Sequence, residues 1–248
     1  MKVRIDKLLV ERQLVPSRER AQALILAGRV LVNEQKISKS GSNVDPEASI
    51  RLLGEEQRYV SRGGVKLERA LEHWRIDLKG KACADIGTST GGFTDCMLQH
   101  GAASVLAIDT GYGQIDATLR NDPRVQLMER TNARYLSAKD VSAAVDFAAM
   151  DVSFISATLV LPAVTSSLMC GPSEIVVLIK PQFEVGREAI GKGGIVRDEA
   201  AQASAVEKVQ AAVKGLGGAD IEVIDSPILG TEGNREFLLH ATFLGPAA

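Results

Sequence analysis

The chain has 248 residues, 45% hydrophobic and 24% charged, with a formal net charge of -2. That composition is globular, the length allows one large domain or an ordinary domain plus a small appendage, and no run approaches the roughly 20 uninterrupted apolar residues of a spanning helix. The N-terminus, Met-Lys-Val-Arg-Ile-Asp, has no apolar h-region, so no signal peptide is read and the expected compartment is the cytoplasm. Cys83, Cys96 and Cys170 are odd in number and unclustered, and His73, His100 and His240 lie far apart, so neither a disulfide framework nor a local zinc motif is signalled.

Residues 1–44 hold nine lysines and arginines against four acids, a surplus of +5 that leaves -7 on the remainder. A basic module on an acidic body suits a polyanion, because phosphate neutralisation supplies most sequence-independent nucleic-acid affinity. A solvated helical surface is the plainer alternative. Ile5, Leu8, Leu9 and Leu14 fall near helical spacing, and Pro16-Ser17 then interrupts and caps a second helix, carrying Ala21, Leu24 and Ile25, that ends at Gly28. Residues 29–33 read as a strand, Asn33-Glu34 as a turn and Lys36-Ile37 as a return. A unit of this size has a small core, which is tolerable beside a larger domain.

Arg4-x-Asp6-x-Leu8-Leu9, Ser17-Arg18-x-x-Ala21 and Ile25-x-x-Gly28-x-Val30-x-Val32-Asn33 resemble the S4 RNA-binding domain. The resemblance implies structured RNA as the partner class. Arg4, Lys7, Arg18, Arg20 and Arg29 are then the candidate RNA contacts of the module, with Arg62 beyond it. Residues 45–58 are polar and turn-rich, so domains are expected at 1–57 and 63–248, joined by a linker of residues 58–62.

From there the pattern is α/β. Strands are predicted at Ala82–Ile86, Ser104–Ile108, Val125–Glu129, Phe147–Met150, Ile175–Ile179, Ile221–Ser226 and Glu236–Phe243. Their alternation with helical segments means a mostly parallel sheet covered on both faces, with its ligand site beyond the strands' carboxyl ends. Gly186 to Gly194 is too polar for core and reads as a mobile loop beside the strand that ends at Lys180.

The first of these strands ends at Asp85-Ile86 and opens into Gly87-Thr88-Ser89-Thr90-Gly91-Gly92-Phe93-Thr94, followed by a helix. The glycines allow a tight turn against a ligand, and the helix N-terminus offers unpaired amides. The spacing is neither the dinucleotide fingerprint nor a P-loop. Asp109, 24 residues after Asp85 and at the next strand's end, is placed to accept hydrogen bonds from both hydroxyls of a ribose. The alternative is a turn glycine cluster with a helix-capping aspartate.

This block, Asp85 and Gly87 through Ser89, Thr90, Gly91, Gly92 and Phe93, with an acid at the second strand, resembles the cofactor site of the FtsJ-like ribose 2'-O-methyltransferases. The implied fold is a Rossmann-like methyltransferase domain using S-adenosylmethionine, with a small N-terminal α+β S4 domain. Those enzymes use a Lys-Asp-Lys-Glu tetrad, and Lys66, Asp151, Lys180 and Glu236 match it. Asp151 and Lys180 follow apolar runs, which puts each at a strand's C-terminal end, whereas Lys66 and Glu236 taken singly would pass as surface residues.

The blocks Tyr59-Val60-Ser61-Arg62-Gly63-Gly64-x-Lys66-Leu67, 109–114, 120–125, 129–134, 151–156 and 180–184 are similar to the TlyA family across nearly the whole chain. The resemblance implies 2'-O-methylation of cytidine ribose in ribosomal RNA, and places Asn132 and Ala133 near the cofactor's adenine. Arg58-Tyr59-Val60 departs from relatives that have an extra residue and a tryptophan in the linker. The chain starts directly on the S4 helix and stops soon after Phe243, which resembles the shorter subtype acting on large-subunit RNA alone. A non-catalytic RNA-binding assembly factor that keeps the fold is the competing reading, and possession of all four tetrad residues argues against it. A nicotinamide-dependent oxidoreductase is disfavoured by the fingerprint spacing.

Overall fold

The computed structural model describes residues 2–53, 58–141, 144–230 and 232–245. The chain divides into two compact units, Met1–Glu56 and Gln57–Ala248. The S4 boundary drawn at residue 57 lies outside the described residues.

In the smaller unit, helices Ile5–Glu11 and Arg18–Leu26 bury Ile5, Leu8, Leu9, Ala21 and Ile25 together with Val30, Val32, Val44 and Ala48. Ser17 caps the second helix, its hydroxyl accepting from Arg20 N at 3.2 Å, and Gly28 leaves it with φ +66°. Asn33 and Glu34 both have positive φ, the conformation a two-residue hairpin turn needs, between Val30–Val32 and Gln35–Lys36. The polar, turn-rich reading of residues 45–58 is corrected in part: Ile50–Leu52 is a third strand, antiparallel to Val30–Val32. Val3–Arg4 pairs with Asn43–Val44 in a second small ladder. Strands of two or three residues are too short to show an alternation in the sequence.

Among the described residues the larger unit contains seven strands: β1 (Ala82–Ile86), β2 (Ser104–Ile108), β3 (Val125–Met128), β4 (Phe147–Met150), β5 (Ser173–Ile179), β6 (Ala219–Asp225) and β7 (Phe237–Phe243). They form one sheet in the order β6-β7-β5-β4-β1-β2-β3. Strands β3, β2, β1, β4 and β5 are parallel, and β7 runs antiparallel to both β5 and β6. The order reverses beside β1, so the loops after β1 and β4 open on the same edge of the sheet, where α/β folds bind ligands.

The sheet separates two apolar layers because successive strand residues face opposite sides. Phe147 and Ala149 pack with Leu67 and Leu71 of α1 (Gly63–Trp74) and Cys96 and Met97 of α2 (Gly92–Gln99). Ala148 and Met150 pack with Val160, Leu161 and Val164 of α3 (Ala157–Leu168) and Val209 and Val213 of α4 (Glu199–Gly215). Residues 58–62, read as a linker, lie in the larger unit: Tyr59 is buried, Val60 N donates to Asp95 Oδ2 at 2.8 Å, and Arg58 pairs with Glu68. The glycine-rich segment 186–194 contains two 3-10 turns, Arg187–Ala189 and Lys192–Gly194. No helix among the described residues is long and apolar enough to cross a membrane.

Candidate active site

The loop that joins β1 to α2 is shaped by two glycines. Gly87 has φ +90°, and a Cβ there would stand 2.4 Å from the Asp151 carbonyl oxygen, so the ends of β1 and β4 approach as only glycine permits. Gly91 has φ +96° and starts α2. Its own surroundings are Leu119 and Ile115, and it lines neither cavity described below.

Asp85 lies beneath this loop, wholly buried, and likewise lines neither cavity. One carboxylate oxygen accepts from Thr94 N at 2.9 Å and Thr94 Oγ1 at 2.6 Å, so the strand residue caps the first turn of α2. Burial pushes its carboxyl up to about 7, against the lowering effect of the Thr94 bonds. The helix-capping alternative therefore describes Asp85, while Ser89, Thr90, Gly92 and Phe93 face a cavity.

Two adjoining cavities open here. The first, about 460 Å³, is lined by Ser61, Arg62, Lys66, Phe93, Asp151, Ser153, Lys180 and Glu236 among others, and so gathers all four tetrad residues. The second, about 320 Å³, runs from Asp109 past Ile86, Ile108, Asn132, Ala133 and Val160. Gly87, Ser89, Asp151 and Ser153 belong to both.

Asp109 Oδ1 accepts from Gly111 N at 2.6 Å and Oδ2 from Ser89 N at 2.7 Å. These amides fix the carboxylate while each oxygen keeps a lone pair for a ligand hydroxyl. Asn132 Oδ1 caps the short turn that follows, accepting from Arg134 N at 3.0 Å, and Ala133 supplies an apolar wall. A cavity with a carboxylate at one end, small apolar walls and a polar junction fits a nucleoside with a charged tail.

In the first cavity Lys180 Nζ is 2.5 Å from Asp151 Oδ1 and donates to Ser153 Oγ at 2.7 Å. Lys66 Nζ donates to Glu236 Oε2 at 2.5 Å. Lys66 and Glu236, which taken singly would pass as surface residues, are both buried. Lys66 leaves the first turn of α1 toward the cleft, and Glu236 immediately precedes β7. Arg62 is exposed at the rim, its Nη2 donating to Leu229 O at 2.9 Å. Sequence reading missed Ser153 as a partner of Lys180, although it lies inside the 151–156 block.

Phe154, in the same loop, is 93% exposed with φ +65°. An apolar ring in water on a left-handed backbone is doubly unfavourable. Its ring centroid lies 5.4 Å from that of Phe183.

In the smaller unit, buried Asp6 gathers two of the candidate arginines. Arg4 Nε and Nη2 donate to it at 3.0 and 2.9 Å, Arg18 Nε at 3.1 Å and Gln22 Nε2 at 3.1 Å. The Arg4 hydrogen bonds in particular hold the Asp6 carboxyl far below the usual carboxylate range. Both guanidiniums remain about half exposed, at 42% and 46%, so they are pinned side by side yet accessible. Lys7 is exposed, while Arg20 and Arg29 are partly buried.

Residues 59–243 match the FtsJ-like methyltransferase family, and residues 3–50 match the S4 domain. YqxC of Bacillus subtilis is 46% identical over 98% of this chain and 87% of its own length. The 16S/23S rRNA (cytidine-2'-O)-methyltransferase TlyA of Mycobacterium tuberculosis is 42% identical over 96% of this chain and 89% of that protein. A solved structure from Streptococcus thermophilus, 42% identical, superposes with a TM-score of 0.76 and covers 98% of this chain and 89% of its own.

Proposed function

The chain belongs to the TlyA family, an S4 domain joined to an FtsJ-like methyltransferase domain, and from that premise we propose that it methylates the 2'-hydroxyl of a cytidine ribose in ribosomal RNA, that of the large subunit, with S-adenosylmethionine as donor. The observation that carries this reading is the convergence of Lys66, Asp151, Lys180 and Glu236 on one cleft that adjoins a nucleoside-sized cavity. A fold kept only for RNA binding has no need of two close Lys-carboxylate pairs there, since burying charge is costly.

When bound, S-adenosylmethionine supplies the methyl group on a sulfonium centre. Asp109 would hold its ribose hydroxyls, and Asn132 and Ala133 would flank its adenine, while Ser89 and the Gly87 turn border the passage into the first cavity. The attacking ribose hydroxyl is a very weak acid, so the protein must orient it and take its proton as the new bond forms. Lys180 has that role, with Asp151 offsetting the charge that develops on Nζ and Ser153 fixing its direction. Lys66, held by Glu236, faces the same cleft and orients the ribose.

The S4 unit supplies the phosphate contacts through Arg4, Lys7, Arg18, Arg20 and Arg29, and Arg62 adds one at the rim of the cleft. A cytoplasmic location follows, because ribosomal RNA is modified where subunits assemble. The test is to incubate the protein with methyl-labelled S-adenosylmethionine and either bare ribosomal RNA or isolated subunits, then digest to nucleosides. Labelled 2'-O-methylcytidine is the expected product. Label in a base, or none in any RNA tested, would overturn the reading.

A further inference from the structure

The block 180–184 ends in a glutamate to which the proposed chemistry gives no task. Glu184 is buried, closes the short helix Pro181–Glu184 that follows Lys180, and does not touch either cavity. Its Oε2 accepts from Ser156 Oγ at 2.5 Å and its Oε1 accepts from Ala157 N at 2.7 Å. Those two residues terminate the loop that starts at Asp151. A third element secures the carboxylate: Lys208 of α4 donates to the Glu184 carbonyl at 2.7 Å and lies 3.3 Å from Oε2.

The two segments are thus fastened at both ends. Lys180 reaches Asp151 and Ser153 at the cleft, Glu184 reaches Ser156 and Ala157 away from it, and the rings of Phe154 and Phe183 lie between. A loop with a left-handed phenylalanine at its centre needs such external restraint to keep one conformation. The carboxylate also sits at the N-terminus of α3, where its charge is favourable and where no other side chain reaches Ala157 N among the described residues.

We propose that Glu184 is a positioning residue for the reaction, holding the Asp151 loop against the Lys180 turn so that the two reacting side chains stay in register. The inference rests on the reading of Lys180 and Asp151 as the groups that handle the hydroxyl proton.

The test uses the full chain and single-turnover methylation of its RNA substrate, with the rate counted per S-adenosylmethionine-bound site so that unfolded protein does not enter. Glu184→Ala should lower that rate ~10- to 100-fold, the scale of a loss of alignment near 1 Å. The groups facing Lys180 are Asp151 and Ser153, with Lys66 and Glu236 across the cleft. As Asp151 retreats, its alignment with Lys180 is lost at the chemical step, so the maximal rate should fall while the RNA concentration for half-maximal rate stays within ~3-fold of wild type. Glu184→Gln keeps the reach and an acceptor for Ala157 N, and should restore the rate to within ~3-fold of wild type.

A Glu184→Ala rate within ~3-fold of wild type, or a fall that glutamine does not rescue, would overturn the proposal. Should Glu184→Ala bind no cofactor, Ser156→Ala removes one of the two loop bonds and should lower the maximal rate in the same way, and an unchanged rate would be equally fatal. Lys180→Ala run alongside separates the two levels: near-normal turnover in that variant would refute the underlying reading of the site rather than the role of Glu184.

Discussion

Lys66 Nζ and Glu236 Oε2 are 2.5 Å apart, across 170 residues of sequence, with side chains only 10% and 3% exposed. The pair joins the first turn of α1 to the start of β7 and brings a charge from each to the cleft. A buried pair of this kind is poor evidence for stability but is strongly destabilised when one partner is removed.

Glu236→Ala should therefore cost roughly 3–5 kcal/mol in a denaturant titration, because Lys66 is left buried without a counter-charge. The double variant Lys66→Met with Glu236→Leu should recover most of that stability and still turn over poorly. Recovery of turnover along with stability would assign the pair to the fold alone.

Asp109→Ala should weaken S-adenosylmethionine binding by ~1–3 kcal/mol, the usual scale for losing a charged hydrogen-bond partner. Calorimetric titration measures this directly, and RNA affinity should be unaffected. An unchanged cofactor affinity in folded protein would remove Asp109 from the ribose.

Phe154 is exposed in the loop that carries Asp151 and beside the cleft, so its ring is available to stack on a nucleotide base of the substrate. Phe154→Ala should raise the RNA concentration needed for half-maximal methylation and leave cofactor affinity intact. Equal effects on both ligands would show that the ring acts on the cavity and not on the RNA.

The Asp85 carboxyl stands at about 7 in the folded chain against an ordinary 3.8, because burial disfavours its charged form. A raised folded value means that its contribution to stability is complete below the unfolded value and is lost as pH rises through about 7. Melting temperatures of wild type and Asp85→Asn, compared from pH 4 to pH 8, should diverge in favour of the variant as pH rises. Parallel curves would contradict the shift.

The parallel strands were legible because strands buried on both faces read as short apolar runs. The predicted β1, β2 and β4 coincide with the observed ones, β3, β5 and β7 differ by one or two residues at one end, and β6 differs at both ends. The direction of β7 was not legible, since an apolar run does not carry its orientation. The loop glycines and Asp109 were legible through spacing as the lining of one sheet edge, but nothing in the spacing distinguished Asp85, which points under the loop, from its neighbours that face the cavity. Burial of Lys66 and Glu236, the Ser153 bond to Lys180 and the reach of Glu184 to Ser156 are long-range facts of packing. Composition and period do not encode them locally. The arginines of the small unit were legible as charge, whereas their convergence on Asp6 depends on how the strand Val3–Arg4 and two helices come together.

The most direct measurement of the central claim is a map of 2'-O-methyl groups in ribosomal RNA from a strain that lacks this protein, complemented with the wild-type chain or with Lys180→Ala. The account predicts one cytidine of the large-subunit RNA whose 2'-O-methyl disappears on deletion, returns with wild type and stays absent with Lys180→Ala. An unaltered map on deletion, or full restoration by Lys180→Ala, would contradict it.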